Sequence, residues 1–100
     1  MTDSRTDEEL LQESQQQAKN LAEQQEDDLR FVMQAPQGRR FVWGLLSGAG
    51  VFQSSFTGDN NATNFNEGRR SEGLRLFTAV MATCPDLYLT MANEASKEKQ

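Results

Sequence analysis

The stretch Arg39-Arg40-Phe41-Val42-Trp43-Gly44-Leu45-Leu46-Ser47-Gly48-Ala49 decides the fold class. Its apolar positions Phe41, Val42, Leu45, Leu46 and Ala49 recur at i, i+1, i+4, i+5 and i+8, the stripe of a helix that buries one face. Pro36 suits the first turn of that helix, where its missing N–H costs nothing. Gly48-Ala49-Gly50 ends it. The spacing predicts a helix over 36–48.

Toward the C-terminus, Val51 to Thr63 has no helical period. Thr57-Gly58-Asp59-Asn60-Asn61 is turn chemistry, because Asp and Asn bond their own backbone and Gly takes positive φ. An ordered surface loop pinned by Phe52 and Phe56 is expected, with at most a short extended piece near 51–56. Asn64 and Glu67 form a capping box, which predicts a helix over 64–83. Gly73, Leu76, Phe77, Val80 and Cys84 share its apolar face. Gly73 inside that helix costs about 1 kcal/mol against Ala, so close approach of a second helix is the expected reason. Thr83 and Asp86 form another box, and Leu87, Tyr88, Met91, Ala92 and Ala95 predict a last helix over 85–95. The fold class is therefore all-α, a small bundle of three to four helices.

Toward the N-terminus the pattern thins. Residues 1–28 hold nine acids against Arg5 and Lys19, a net of −7, whereas residues 29–93 carry a net of +2. Thr6 and Glu9 form a capping box, and Leu11, Ala18, Leu21, Leu29 and Val32 make a narrow apolar seam. Gln15-Gln16-Gln17 has the look of low complexity. Two readings stay open for 1–28: a disordered acidic arm, or a helix that orders against a partner, somewhere within 6–34. The chain divides into this arm, a helical body over 29–95 and a tail over 96–100.

Composition narrows function. Hydrophobic residues are 36% of the 100 and Ile is absent, so the core is small. No run reaches the ~18 apolar residues of a membrane span, and no apolar h-region follows Met1, so neither a span nor a secretory signal is expected. The single cysteine excludes an internal disulfide, and the lack of His excludes a Cys/His metal cluster. Ser54, Ser55 and Cys84 have no His to activate them. Cys84 falls on the apolar stripe, the place of a structural thiol. Asp59-Asn60-Asn61 opens like a calcium loop, but positions 6 and 12 hold Asn64 and Arg70 instead of Gly and Glu. No enzyme and no cofactor is expected.

The tripeptide Gly-Arg-Arg occurs twice, at 38–40 and 68–70. Each lies near a helix start, where the dipole favours anions. Arg70 with Glu67 and Arg69 with Glu72 are spaced for intrahelical pairing. Arg39 and Arg40 have no acid nearby in sequence, although Arg39 is spaced to lie over Trp43. Three readings remain for these cations: a solvated helical face, a surface for an acidic protein or for the chain's own arm, and a contact to nucleic acid phosphate.

Five ordered motifs now resemble one family. They are Gln37-Gly38-Arg39-Arg40-Phe41-Val42-Trp43 through Leu46, Gly50-Val51-Phe52-Gln53-Ser54-Ser55-Phe56-Thr57-Gly58, Asn64-Phe65-Asn66-Glu67-Gly68-Arg69-Arg70, Gly73-Leu74, and Cys84-Pro85-Asp86-Leu87-Tyr88. Together they resemble small domains of tailed bacteriophages, mostly short-tailed ones, encoded in the structural cassette near portal and capsid genes. The resemblance covers roughly two thirds of the chain. It implies a virion or assembly role, with no catalytic residues, in the virion or in the host cytoplasm during assembly. The expected partners are portal, tail-adaptor or internal head proteins, bound by several copies of the chain. Arg and aromatic residues are enriched at interface cores, which makes Arg39, Arg40, Trp43, Phe52, Phe56, Arg69 and Arg70 the candidate partner-binding set. The alternatives are a nucleic-acid-binding packaging accessory and an assembly chaperone absent from the mature particle.

Overall fold

The computed structural model describes residues 4–54 and 58–98, and those residues form four helices and no strand. The all-α expectation holds. Helix α1 spans Asp7–Met33, α2 Pro36–Gly48, α3 Asn60–Thr83 and α4 Pro85–Glu98. Phe56 and the rest of 55–57 lie outside the described residues, as does the proposed pinning of the loop at that point.

Helix α1 begins at the cap expected from sequence. The Thr6 side chain accepts a hydrogen bond from the Glu9 N–H at 3.1 Å, and Asp7, Glu8 and Glu9 place negative charge against the positive end of the dipole. The helix contains no Gly or Pro and runs unbroken to Met33. It stops because Ala35 precedes Pro36 and is pushed out of the helical region, to φ −103° and ψ 143°. Of the two readings of the arm, the helical one describes residues 7–28.

Helix α2 ends in a Schellman motif. The Val51 N–H donates to the Leu46 carbonyl at 3.2 Å and the Gly50 N–H to the Ser47 carbonyl at 3.1 Å. Gly50 supplies the left-handed turn, with φ +78°. Val51 is thereby delivered into the core beside Leu46.

Helix α3 starts four residues earlier than expected. Asp59, not Asn64, is the cap, and its side chain accepts from the N–H groups of Asn61 at 2.8 Å and Ala62 at 3.1 Å. Nothing between Asn60 and Asn64 breaks a helix, so the earlier acceptor fixes the start and Asn64 lies inside. The third capping box is also displaced. Thr83 is the last residue of α3, and Cys84 is the junction. The Cys84 carbonyl accepts from the N–H groups of Leu87 and Tyr88, and Pro85 opens α4.

Helices α2 and α3 each pack against all three other helices. The core between them is small. Met33, Leu46, Val80 and Met91 are its fully buried side chains, joined by Val42, Val51 and Cys84. Two glycines permit the closest approaches. A Cβ at Gly38 would lie 1.8 Å from the Val32 carbonyl oxygen of α1, and one at Gly73 would lie 2.6 Å from side-chain atoms of Ala49 and Val51. The close approach expected at Gly73 is present, but the turn after α2, through Ala49 and Val51, makes it rather than a second helix. The stripe on α2 is only half covered: Val42 and Leu46 are buried, whereas Phe41 and Leu45 face outward. The buried positions 39, 42 and 46 follow i, i+3 and i+7, and the second half of the apolar arc points past the neighbouring helices.

The molecule is elongated, 63 × 38 × 20 Å, with a radius of gyration of 18.9 Å. A compact chain of this length has about 13 Å. The difference is α1, whose residues 7–28 are exposed throughout.

Candidate interaction surface

Arg39 points inward and is only 8% exposed. Its Nε donates to Glu94 Oε1 at 2.6 Å, its Nη2 to Glu94 Oε2 at 3.2 Å, and its Nη1 to the Met33 carbonyl at 2.8 Å. The fork geometry of guanidinium and carboxylate makes this a bidentate pair. The Met33 carbonyl is one of the orphan acceptors at the end of α1, so one α2 side chain ties α1 to α4. The hydrogen bond from Arg39 holds the Glu94 carboxyl below its usual range, and the same bond raises the guanidinium of Arg39. The premise that Arg39 lies on an open surface or over Trp43 is corrected by these contacts. Its acid was invisible locally because it lies 55 residues away.

Arg40, the next residue, is exposed. It lines a small pocket between α2 and α4 with Pro36, Trp43 and Glu94. Trp43 opens a run of aromatic rings. It stacks on Phe52 with centroids 5.1 Å apart; Phe52 meets Phe77 edge-on at 6.4 Å, and Phe77 meets Tyr88 edge-on at 5.4 Å. Such pairs are worth about 0.5–1.5 kcal/mol beyond area burial. The ladder fixes the turn after α2 to α3 and α4, and Phe52, between Trp43 and Phe77, remains half exposed. Phe52 does pin its segment, through Trp43 and Phe77.

The second Gly-Arg-Arg divides as well. Arg70 Nη1 lies 3.9 Å from Glu67 Oε1, the expected pairing, while its Nε is buried without a hydrogen-bond partner. Arg69 lies over the Phe65 ring, 5.8 Å from its centroid, and reaches Asn66 Oδ1 at 3.4 Å. The expected Arg69–Glu72 pairing is replaced by Arg75–Glu72 at 3.3 Å. Arg39 and Arg40 thus face different surroundings, and so do Arg69 and Arg70.

The exposed residues not singled out as surface residues from sequence include Phe41 at 65%, Leu45, and Phe65 at 69% exposed, as well as Phe31 and Leu89. Phe41 and Leu45 fit a buried stripe on periodicity alone. What separates them from Val42 and Leu46 is the fork from Arg39 to Glu94, which fixes the phase of α2 and leaves no local signal in the sequence. Cys84 is buried as expected, and desolvation, then the charge of Asp86, pushes its thiol up. Among the described residues, no helix is long and apolar enough to cross a membrane.

A four-helix chain with a small core, one buried arginine fork, outward aromatics and a projecting charged helix is a small all-α domain with much of its apolar surface uncovered. The chain belongs to the family of Bbp19-like phage proteins, whose model matches residues 29–93. That span takes in the last turn of α1, all of α2 and α3, and α4 as far as Asn93. The resemblance drawn from the five motifs therefore holds at the level of a phage protein family. No curated protein and no solved structure matches the chain.

Proposed function

We propose that this phage protein is a non-catalytic component of the particle or of its assembly, docking in several copies on the portal, the tail-adaptor region or internal head proteins nearby. The observation that carries the reading is the mismatch between core and surface. A small body with few fully buried side chains leaves Phe41, Leu45, Phe52 and Phe65 outward and holds all but the last turns of a 27-residue helix away from its core. A body of about 65 residues is near the lower limit of independent stability, and oligomerisation is a common remedy. Arg40, Trp43, Phe52 and Arg69 supply the residue types that anchor interfaces. The protein would act in the virion, or in the infected host's cytoplasm while particles form.

The test is quantitative mass spectrometry of purified particles. Stoichiometric copies in mature particles support the structural-component reading. Presence in immature particles with loss on maturation would replace it with an assembly chaperone. The nucleic-acid reading is weakened by the fate of the arginines: Arg39 is committed to Glu94, and Arg70 lies beside Glu67. The acidic arm would also repel DNA.

A further inference from the structure

The exposed half of α2 carries Gly44 and Gly48 beside Leu45. Each glycine in a helix interior weakens the helix relative to Ala. Gly38 and Gly73 have a reason inside the molecule, since a Cβ would clash. Gly44, inside α2, and Gly48, its last residue, do not: a Cβ at either would meet no other atom within 4 Å. They form the floor of an apolar groove whose other wall is Gly73 and Leu76 of α3, with Arg69 at the rim. Glu72 is also on that wall, and its charge is offset by Arg75 at 3.3 Å. A floor without side chains lets the backbone of a helix come close.

The same chain carries an apolar helix seam with nothing to pack on. Leu11 and Leu21 of α1 are 58% and 55% exposed, with Leu10 and Ala18 on the same stretch. The seam cannot reach its own groove. Leu29 and Met33 hold the end of α1 against the body, and the unbroken helix places residue 7 about 33 Å further out at 1.5 Å per residue.

We infer that α1 of one copy lies in the α2–α3 groove of the next copy, so that the chain assembles head to tail. Charge and area both favour a second copy as the occupant. Residues 1–28 carry −7 and residues 29–93 carry +2, so arm and body attract between copies while arm and arm repel. The accessible surface is 7614 Å², whereas a compact monomer of this mass has about 5,700 Å². The excess of roughly 1,900 Å² is near what one copy loses when it uses two faces of standard size, about 800 Å² each. A head-to-tail contact of this kind closes into a ring or runs on as a filament. The inference deepens the multi-copy reading above, but it concerns the protein alone, so it fails or stands whatever the particle contains.

Sedimentation velocity on the full chain over a concentration series tests it. Wild type is expected to grow beyond the monomer with concentration and to return toward it as salt is raised. Two variants separate the faces. Leu11→Gln with Leu21→Gln disables the arm, and Gly44→Gln with Gly48→Gln fills the groove; all four positions face solvent, and circular dichroism checks that both variants stay folded. Each variant alone should associate at least tenfold more weakly than wild type. Mixed, they should form a one-to-one complex that stops at two copies, because one intact arm meets one intact groove. A monomeric wild type at every concentration overturns the proposal. So does a groove variant that still self-associates, which means arm pairs with arm, or an arm variant that still does, which means groove pairs with groove.

Discussion

Arg39 and Arg40 are adjacent in sequence and opposite in consequence. Arg39 joins α1, α2 and α4 through Met33 and Glu94, so Arg39→Gln should lower the thermal midpoint clearly. Arg40→Gln changes an exposed charge and should leave stability within about 0.5 kcal/mol. Thermal denaturation of the two variants side by side checks this. The pair also sets a pH dependence. The Glu94 carboxyl is held below its ordinary value by the Arg39 hydrogen bond. Its contribution is therefore complete above the unfolded carboxyl range, about 4.3 for Glu, and disappears as pH falls through the lower folded value. The stability gap between wild type and Glu94→Gln should be flat above that range and close below it, as measured by denaturant titrations at several pH values. The glycines make a second series. Gly73→Leu should cost about 1–3 kcal/mol by overpacking against Ala49 and Val51. Gly38→Ala should cost more than Gly73→Ala, because its Cβ meets backbone rather than side chain. Gly44→Ala has open space and should stabilise by up to about 1 kcal/mol. If all three Gly→Ala changes behave alike in chemical denaturation, the close approaches are misassigned.

At the scale of elements, what the sequence discloses is local. The Thr6 cap, the stop at Gly50 and the break before Pro85 each depend on residues within a few positions, and each is where the pattern places it. The start of α3 is misplaced by four residues because two acceptors, Asp59 and Asn64, both fit a cap, and only the chain path decides between them. The Arg39–Glu94 fork is illegible for a different reason: no periodicity links residues 55 apart. The candidate site was legible in kind, as arginines and aromatics, yet not in disposition. Trp43 and Phe52 do come together, Arg39 turns inward, and Phe41 and Phe65 emerge unannounced. Helix α1 gives the sharpest element-level test. Only its C-terminal part, from about Ala22 on, lines a groove with α3. Thr6→Ala removes a cap typically worth about 1 kcal/mol to the helix, but the first turns touch no other helix. Amide exchange should therefore speed up in residues 7–12 while the unfolding midpoint of the body stays put. A fall in that midpoint would mean that the start of α1 is coupled to the core.

At the scale of the whole molecule, shape and charge act together on incorporation into particles. Neutralising Arg39 together with Arg40 would confound two effects, because the first residue acts on the fold. The informative pair is Arg40→Gln against Arg69→Gln, both exposed and both expected to fold as wild type. Arg69 lies over Phe65 at the rim of the apolar face, whereas Arg40 lies beside Trp43 near α4. If particles capture the protein through the Trp43–Phe52 side, Arg40→Gln should reduce incorporation several-fold and Arg69→Gln should reduce it less. If copies must first join through the α2–α3 groove, the order reverses, and Arg69→Gln should also weaken self-association of the isolated protein. The two outcomes differ in what else they move, so incorporation and sedimentation measured on the same two variants assign each arginine to one face. Wild-type incorporation for both would remove the arginines from the docking contact and leave it to the exposed rings Phe41, Phe52 and Phe65 and to the half-buried Trp43 beside Phe52.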